Sequence, residues 1–175
     1  VRRTCRKDLL KKALLNSPVL SPKGFEVGLD RPYESQILFA SYPCVAKPLT
    51  LSASRGVIRA DNSEQLKAAL ARIWRLIQKE GEDDYPVALV EQFISGKEIA
   101  VEGLLSDGDL STLAIFDKPI PLNGPYFEET IYVTPSALSE TEQQEVQAVL
   151  SQACQLLELR QGPVHAEFRL NEQGI

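Results

Sequence analysis

The chain has 175 residues, of which 43% are hydrophobic and 25% are charged, and its formal net charge is −5 at pH 7. This composition excludes an intrinsically disordered chain and indicates a soluble globular protein with enough apolar residues for one core or two small lobes. The acidic balance argues against a nucleic-acid partner, and no apolar run approaches the roughly 20 residues of a membrane span, so we expect a cytoplasmic protein with no membrane partner.

Hydrophobic periodicity predicts three helices and a strand in the first half of the chain. The second helix must end before Tyr42-Pro43, because the residue that precedes a proline is pushed out of the helical region. The third helix can be capped by Asp61-Asn62-Ser63 and should end near Gly81. The expected ranges are helices at 5–15, 32–40 and 61–81, and a buried strand, PCVAK, at 43–47.

The second half of the chain has the alternation and the short turns of an antiparallel sheet. Turns at Ser95-Gly96 and Asp107-Gly108 separate three apolar runs, which predicts a three-stranded meander. Ser139 and Glu142 have the spacing of a capping box that opens a helix. The expected strands are PVALVEQF at 86–93, EIAVEGLL at 98–105, LSTLAIF at 110–116, a possible fourth strand YFEETIYV at 126–133, and GPVHAEFRL at 162–170.

These elements predict two α+β lobes, residues 1–86 and 87–175. The sequence contains no methionine, including at position 1, and it ends on FRLNEQGI, which has the pattern of a strand, a turn and the first residue of a returning strand. We therefore expect a fragment of a longer protein. The three cysteines, Cys5, Cys44 and Cys154, are odd in number and lack CxxC spacing, so buried thiols are expected and not disulfides or a zinc site.

The sequence VAKPLTLSASRG has the composition of an anion-binding loop. Lys47, at the end of a buried strand, presents its ammonium from a fixed point, and the small residues that follow offer backbone N–H groups. Ser52, Ser54 and Arg55 add hydroxyls and a guanidinium suited to oxygen anions. The loop is not a Walker A motif, in which the lysine follows the glycines. An exposed loop beside a lysine that extends into solvent is the alternative interpretation.

Three glutamates occupy informative strand positions. Glu91 lies just before a turn, where a carboxylate and free backbone groups could meet an adenine edge, and Glu98 just past the turn could reach ribose hydroxyls. Glu167 lies within an otherwise apolar strand, so it must find a cation or face outward. Each of the three is also explained as a solvated strand residue.

Three further side chains are candidates for the chemistry. Lys118, in FDKP, could stabilise charge at an acyl centre or bind a substrate carboxylate, and Glu129 could meet a substrate amine. His165 shares a strand face with Glu167 and could line the same site. An isolated strand histidine is more often a packing residue, so this alternative stays open.

The order of these pieces resembles the ATP-grasp superfamily over essentially the whole chain. Its parts are a lysine strand, a small-residue loop, a helix, VEQF, a Gly-Lys-Glu turn and a strand with a lone glutamate. Within the superfamily, PCVAKPLTLSASRGVI, FDKPIPLNGPYFEETIYVTPS and GPVHAEFRLN are most similar to the amino-acid and dipeptide ligases, including carnosine-synthase-like and bacilysin-type L-amino-acid ligases. The resemblance implies an ATP-grasp fold whose lobes clasp a nucleotide, and ATP-dependent C–N ligation through an acyl phosphate.

The resemblance also implies roles for the phosphate-binding residues. Lys7, in CRKDLL where the family more usually has an Asn- or Asp-Lys pair, matches the first phosphate lysine, and Lys47 matches the second. Residues 50–57 match a lid over the β- and γ-phosphates. The lid residues expected to contact the nucleotide or to act in catalysis are Ser52, Ser54, Arg55 and Gly56.

The remaining roles concern the nucleoside, the metal and the acyl centre. The resemblance implies that Glu91 takes the adenine amino group beside the main chain of Gln92 and Ile94, and that Glu98 holds the ribose. The residues expected to bind the nucleoside are Glu91, Gln92, Phe93, Ile94 and Glu98, and Glu167 is expected to bind magnesium. Lys118 and Arg55 are the residues expected to act in catalysis.

ATP and Mg²⁺ are the implied cofactors, with Mn²⁺ as an alternative ion. A second metal carboxylate, in an E-x-N motif, belongs to a strand that the sequence does not reach. The implied partners are a small-molecule carboxylate and amine, and an N-terminal domain and a C-terminal strand of the same protein; whether the protein is a homodimer is open. The fragment alone is expected to be inactive, and an ATP-grasp kinase or a nucleotide-binding regulatory module are the alternative functions.

Overall fold

A computed structural model of the chain describes residues 4–81, 84–128 and 131–175. Within these ranges, three helices and seven strands follow one another. Their bounds are α1 (Lys7–Leu14), β1 (Gly24–Gly28), β2 (Cys44–Pro48), β3 (Ile58–Ala60), α2 (Ser63–Glu80), β4 (Val87–Gln92), β5 (Lys97–Ser106), β6 (Asp109–Lys118), α3 (Glu140–Leu156) and β7 (Gly162–Leu170). Helices combined with antiparallel sheets confirm the predicted α+β class.

The first sheet has four antiparallel strands in the order β1-β4-β2-β3, and α2 packs on one of its faces. Successive residues of a strand point to opposite faces, so Cys44 and Ala46 are buried in the core with α2 while Lys47 projects from the other face. Asn62 caps α2 by accepting a hydrogen bond from the Gln65 N–H at 2.9 Å. The sheet therefore presents Lys47 on the side that α2 does not cover.

α2 holds this sheet through an apolar stripe. Leu66, Leu70, Ile73 and Ile77 recur at helical spacing, and each is at most 2% exposed. Burial of a side chain of this size contributes roughly 1.5–3 kcal/mol. The packed layer gives β2 and β4 a fixed position behind the side chains that they present.

The second sheet has three antiparallel strands in the order β6-β5-β7, and α3 packs on it. The predicted β5–β6 hairpin turns at Asp107-Gly108, and α3 opens with the predicted capping box of Ser139 and Glu142. Register pairs Glu98 with Arg169, and Ala100 with Glu167. Glu98 and Glu167 consequently lie on the same face of neighbouring strands.

The helix predicted at 32–40 is wrong, because this segment forms a series of turns. The Gln36 side chain accepts a hydrogen bond from the Gly28 N–H at 2.9 Å and donates to the carbonyls of Gly28 and Pro32. These bonds tie the segment to the end of β1 and compete with a regular helix.

The predicted three-stranded meander is also wrong. β4 pairs with β1 and β2 in the first sheet, whereas β5 pairs with β6 and β7 in the second. Residues 93–96 form a linker between the two sheets, because β4 finds its partners earlier in the chain. The lobe boundary at residue 86 stays a prediction; β4, just beyond it, belongs to the first sheet.

Two smaller expectations also need correction. The described part of 126–133 contains no strand, and Tyr126 and Val133 form isolated bridges to Ile58 and Asp117. The three cysteines are free, but Cys5 is exposed because it precedes α1 instead of packing under it, while the other two are buried. Of the helices in the described residues, none is long and apolar enough to cross a bilayer.

Candidate functional site

A cluster of lysines surrounds one carboxylate on the uncovered face of the first sheet. Glu91, from β4, is only 6% exposed. Its Oε1 accepts from Lys11 Nζ at 2.9 Å, and its Oε2 pairs with Lys47 Nζ. We call Lys7, Lys11, Lys47 and Glu91 the lysine cluster.

Lys7 completes this cluster from α1. Its Nζ donates to the Leu51 carbonyl, at the start of the predicted lid, at 2.5 Å. Burial first, and then the neighbouring charge of Lys47, lower the pKa of Lys7 to about 8, against an opposing effect of Glu91. Three lysines around a single carboxylate leave an excess of positive charge, which suits a polyphosphate.

Lys11 was not recognised in the sequence as a site residue. The signal for it was weak but present: Lys11 lies four residues after Lys7, so both project from the same face of α1. Its ammonium also donates to the Pro22 carbonyl. Its partner Glu91 is 80 residues away in the chain, and spacing alone does not reveal such a contact.

The predicted lid is a compact loop. The Arg55 N–H donates to the Ser52 carbonyl at 3.2 Å, and the Val57 N–H donates to the Ser54 carbonyl at 3.1 Å. Gly56 has a φ of 75°, a left-handed conformation that glycine adopts without a steric penalty. The hydroxyls and backbone N–H groups of this loop directly follow the strand that carries Lys47.

Arg55 lies apart from the other predicted catalytic residue. Its guanidinium pairs with Glu80, at the end of α2, at 2.8 Å. Lys118 pairs with Glu98 and Glu167, in the second sheet. Ser54, Arg55 and Gly56 instead line a groove of about 890 Å³ beside α2.

A second cluster has the opposite arrangement, with one lysine between carboxylates. Lys118, from the end of β6, is 6% exposed. Its Nζ donates to Glu98 Oε1 at 2.9 Å and to Glu167 Oε1. Burial alone would lower the pKa of Lys118, but the hydrogen bonds from its ammonium to Glu167 and Glu98 raise it above its ordinary value. Lys118 is therefore a fixed positive charge; we call Lys118, Glu98 and Glu167 the carboxylate cluster.

His165 borders the carboxylate cluster without a close contact to it. His165 Nδ1 lies 2.7 Å from Glu102 Oε1, and its Nε2 lies 3.8 Å from Glu167 Oε1. The histidine thus makes its close contact across the sheet to Glu102 and only borders the carboxylate cluster. Glu129 lies outside the described residues.

The predicted adenine-binding residues lie at the end of β4 and in the linker between the two sheets. The Gln92 N–H donates to the Lys23 carbonyl at 2.8 Å, and the Phe93 N–H donates to the Pro43 carbonyl at 3.1 Å. The Ile94 carbonyl accepts from an Arg169 guanidinium N–H at 2.8 Å. These bonds hold the end of β4 and the linker on both sides, and Glu91, in β4, belongs to the lysine cluster.

The donor set near Glu167 fits magnesium in part. Mg²⁺ is commonly bound by one or two protein carboxylates together with phosphate oxygens. The side chain of Glu167 is 40% exposed and is thus accessible to an ion. Within the described residues, no group of three or more His, Cys, Asp or Glu side chains is placed to hold a metal, so this part of the chain fits one metal ligand and no complete site.

Comparison with known proteins supports the nucleotide-binding interpretation. A family model described as the ATP-grasp domain matches residues 40–175. The alanine–anticapsin ligase of Bacillus amyloliquefaciens is 24% identical over 183 aligned residues, which cover 94% of this chain and 38% of that protein.

Two solved structures share the fold. An L-amino acid ligase from Bacillus licheniformis superposes with a TM-score of 0.79 at 28% identity, over 99% of this chain and 38% of that one. The biotin carboxylase domain of Hydrogenobacter thermophilus 2-oxoglutarate carboxylase, in complex with MgADP and bicarbonate, has a TM-score of 0.78 at 18% identity, over 99% of this chain and 38% of that one.

The chain thus spans 38% of the length of each of these three proteins. The likeness confirms the predicted ATP-grasp fold and the resemblance to the bacilysin-type and L-amino-acid ligase branch. Because the family model covers most of the sequence, the chain belongs to the ATP-grasp domain family.

Proposed function

We propose that the intact protein is an ATP-dependent carboxylate–amine ligase that joins an amino acid or a similar carboxylate to an amine through an acyl phosphate. The observation that carries this proposal is the difference in charge between the lysine cluster and the carboxylate cluster. Excess ammonium groups on the first sheet suit the phosphates, and carboxylates fixed by a buried lysine on the second sheet suit a ribose and a metal ion. Similarity to the alanine–anticapsin and L-amino acid ligases supports the choice of reaction.

Lys7 and Lys47 bind the phosphates in this proposal, and residues 50–57 close over them as a lid. Glu91 and the main chain of the linker meet the adenine, and Glu98 receives the ribose hydroxyls. Lys47 must then divide its hydrogen bonds between Glu91 and the nucleotide. An ammonium has three N–H donors, so it can serve both partners.

The reaction proceeds in two balanced steps. An oxygen of the substrate carboxylate attacks the γ-phosphorus, the bond to the β-phosphate oxygen breaks, and ADP leaves with that electron pair. The amine nitrogen then attacks the acyl carbon, phosphate leaves, and the amine loses a proton. Lys118 stabilises the negative charge that develops, and Arg55 acts if the lid brings it towards the phosphates.

Magnesium supplies charge neutralisation on the phosphates when it is bound, with Glu167 as its ligand from this chain. Mn²⁺, which prefers similar oxygen ligands, is an alternative ion. Positioning and charge neutralisation account for most of the catalysis in phosphoryl transfer, so no nucleophilic side chain is needed.

The proposal extends to the rest of the protein. Residues 1–86 and 87–175 are the two ATP-grasp lobes, an N-terminal domain contributes to substrate binding, and a following strand supplies the second metal carboxylate. Small-molecule carboxylates and amines are the partners. A cytoplasmic homodimer is the assembly to test by sedimentation.

The decisive experiment follows the substrate oxygen in the full-length protein. With ATP, Mg²⁺ and a panel of amino acids whose carboxylates carry heavy oxygen, a ligase releases ADP only when both substrates are present and transfers one labelled oxygen to phosphate. ADP formed without an amine, together with a stable phosphorylated acceptor, would identify a kinase. Nucleotide binding without ADP release would identify a regulatory module.

A further inference from the structure

Arg169, in β7, joins the linker to the carboxylate cluster, although it was not recognised in the sequence as a site residue. One guanidinium N–H donates to the Ile94 carbonyl at 2.8 Å. The Nη2 group donates to Glu98 Oε2 and to the Leu122 carbonyl, both at 2.6 Å. The side chain is 15% exposed, so these contacts are largely shielded from water. A planar guanidinium presents its donors in a rigid fork, which fixes all three acceptors relative to one another.

Phe93, in the linker, connects Arg169 to an arginine of the first sheet. The guanidinium carbon of Arg169 lies 5.2 Å from the centre of the Phe93 ring, and that of Arg59, in β3, lies 4.4 Å from it. Arg59 also donates to the Asn123 carbonyl at 2.8 Å. The linker aromatic is thus contacted by one arginine from each sheet, and cation–π contacts of this kind are attractive.

Glu98 is held by two cations that act on different oxygens. Lys118 occupies Oε1 and Arg169 occupies Oε2. Loss of Lys118 would leave Glu98 facing Glu167 without an intervening charge, whereas loss of Arg169 would leave the Lys118 contact intact but free the carboxylate to rotate. The orientation of Glu98 therefore depends on Arg169, in addition to the charge balance that Lys118 provides.

We propose that Arg169 is a positioning residue, which orients the Glu98 carboxylate towards the ribose and fixes the Ile94 carbonyl at the adenine-binding linker. This inference rests on the proposed function, because that function assigns Glu98 to the ribose. Arg169 acts through Glu98 and the linker and makes no contact of its own with the nucleotide.

The test compares two ligands of the full-length protein, ATP and an ATP analogue that lacks both ribose hydroxyls. Calorimetry in the presence of Mg²⁺ gives the measured ratio, which is the dissociation constant of the analogue divided by that of ATP. In the wild-type protein the analogue binds more weakly. Glu98→Gln brings the ratio close to one, which checks the proposed ribose contact independently of Arg169.

Arg169→Met is expected to lower the same ratio by about tenfold, since a Glu98 carboxylate that points away from the ribose no longer accepts hydrogen bonds from its hydroxyls. Arg169→Lys keeps the charge but cannot reach all three acceptors, so its ratio falls between those of Arg169→Met and the wild type. Arg160→Met is the matched control. This exposed arginine donates to the Asp107 carbonyl at the far end of the sheet, and its replacement leaves the ratio unchanged.

The outcomes separate the two hypotheses. An unchanged ratio in Glu98→Gln overturns the ribose assignment and thus the proposed nucleotide site. A normal ratio in Arg169→Met, with a lowered one in Glu98→Gln, overturns the positioning role alone. Equal weakening of both ligands by Arg169→Met also overturns it, because a general loss of binding is not a loss of orientation. If Arg169→Met does not fold, Arg169→Lys decides: a wild-type ratio contradicts the proposal and an intermediate ratio supports it.

Discussion

The two ion clusters of this chain are built from the same residue types in inverse proportion. In the lysine cluster, one buried glutamate pairs with Lys11 and Lys47, and Lys7 stands nearby. In the carboxylate cluster, one buried lysine lies between Glu98 and Glu167. The first arrangement has spare donors and the second has spare acceptors. Spare donors suit the binding of an anion, and spare acceptors suit the binding of hydroxyls and cations. Both clusters are nevertheless built from lysine–glutamate pairs.

Loss of the lone member of either cluster leaves the remaining like charges without compensation within the cluster. A single carboxylate among lysines limits their repulsion, and a single ammonium between carboxylates does the same with the signs reversed. Removal of one partner from a buried pair is far more destabilising than replacement of the whole pair, because an uncompensated charge remains. The comparison can therefore be tested by replacing the single carboxylate Glu91 and the single ammonium Lys118. Replacing one lysine of the lysine cluster and one glutamate of the carboxylate cluster completes the test.

The largest effect is expected for Lys118→Met in the full-length protein. Glu98 would keep its Arg169 contact, but Glu98 and Glu167 would lose the ammonium between them, which should cost about 3 kcal/mol of unfolding free energy and lower turnover at least about 100-fold. Denaturant unfolding and steady-state kinetics measure the two effects. Lys97→Met is the matched control, since Lys97 pairs with Asp117 in the same sheet but is 41% exposed.

A second substitution separates stability from chemistry in the same cluster. Adding Glu167→Gln to Lys118→Met removes one of the two repelling charges, so part of the lost stability should return while turnover stays low. Wild-type turnover in Lys118→Met would show that the buried ammonium has no part in the reaction.

Lys47→Ala should weaken ATP binding by about 2–3 kcal/mol and adenosine binding much less, because the lost hydrogen bonds go to phosphate. Glu91 keeps Lys11 as a partner in this variant, so the sheet should remain folded. Calorimetric titration with both ligands is the measurement, with the exposed Lys79→Ala as control. Equal losses for ATP and adenosine would contradict a phosphate role for Lys47.

Glu91→Gln tests the lone carboxylate of the lysine cluster. If Glu91 accepts from the adenine amino group, the preference for ATP over GTP should fall by about tenfold, because the amide no longer discriminates against a base that lacks this donor. The ratio of kcat/KM for the two nucleotides is the readout. Glu26→Gln, in β1 and paired with Lys12 at 3.1 Å, is the matched control. An unchanged ratio would limit Glu91 to holding Lys11 and Lys47.

The fold was predictable where the local pattern specifies the structure. α2 and α3 have capping residues followed by apolar stripes, and β5–β6 has a tight turn between alternating strands, so each was recognised. β3 was missed, since the three residues IRA are too short to show alternation. The partners of β4 were assigned wrongly because an apolar run predicts a strand but does not identify the neighbour with which it pairs.

The candidate site shows the same limit. Lys47, Glu91, Lys118, Glu98 and Glu167 stand at strand ends or interrupt apolar strands, which made them visible in the sequence. Lys11 and Arg169 were not recognised, because their contacts with Glu91 and Glu98 span 80 and 71 residues. Long-range pairs of this kind depend on how the sheets meet, which local propensity does not determine.

The smallest expected effect is a pH dependence that arises from Lys7, one of the three lysines of the lysine cluster. Burial and the charge of Lys47 lower the pKa of Lys7 from 10.5 to about 8 in the folded protein. Between these values Lys7 binds more protons in the unfolded state than in the folded state, so its contribution to the unfolding free energy should rise as pH increases from about 8 to 10.5. The buried Cys44 thiol, whose pKa is raised from 9.0 to about 11, contributes with the opposite sign above about pH 9, so the Lys7 contribution is measured as the difference between the wild type and Lys7→Met. The limit for one proton is about 1.4 kcal/mol per pH unit, and solvent around the half-buried ammonium reduces it. Over the same range ATP should bind less tightly, because a neutral amine has lost its attraction for phosphate.

Lys7→Met should abolish both trends, and the exposed Lys12→Met should leave them in place. Urea unfolding and nucleotide titration at pH 7, 8, 9 and 10 measure them on the same protein. The two slopes have opposite signs because the charge on Lys7 opposes folding but favours the ligand. That opposition is what three ammonium groups around one carboxylate should produce, and a Lys7→Met protein with both slopes intact would remove Lys7 from the cluster's charge balance.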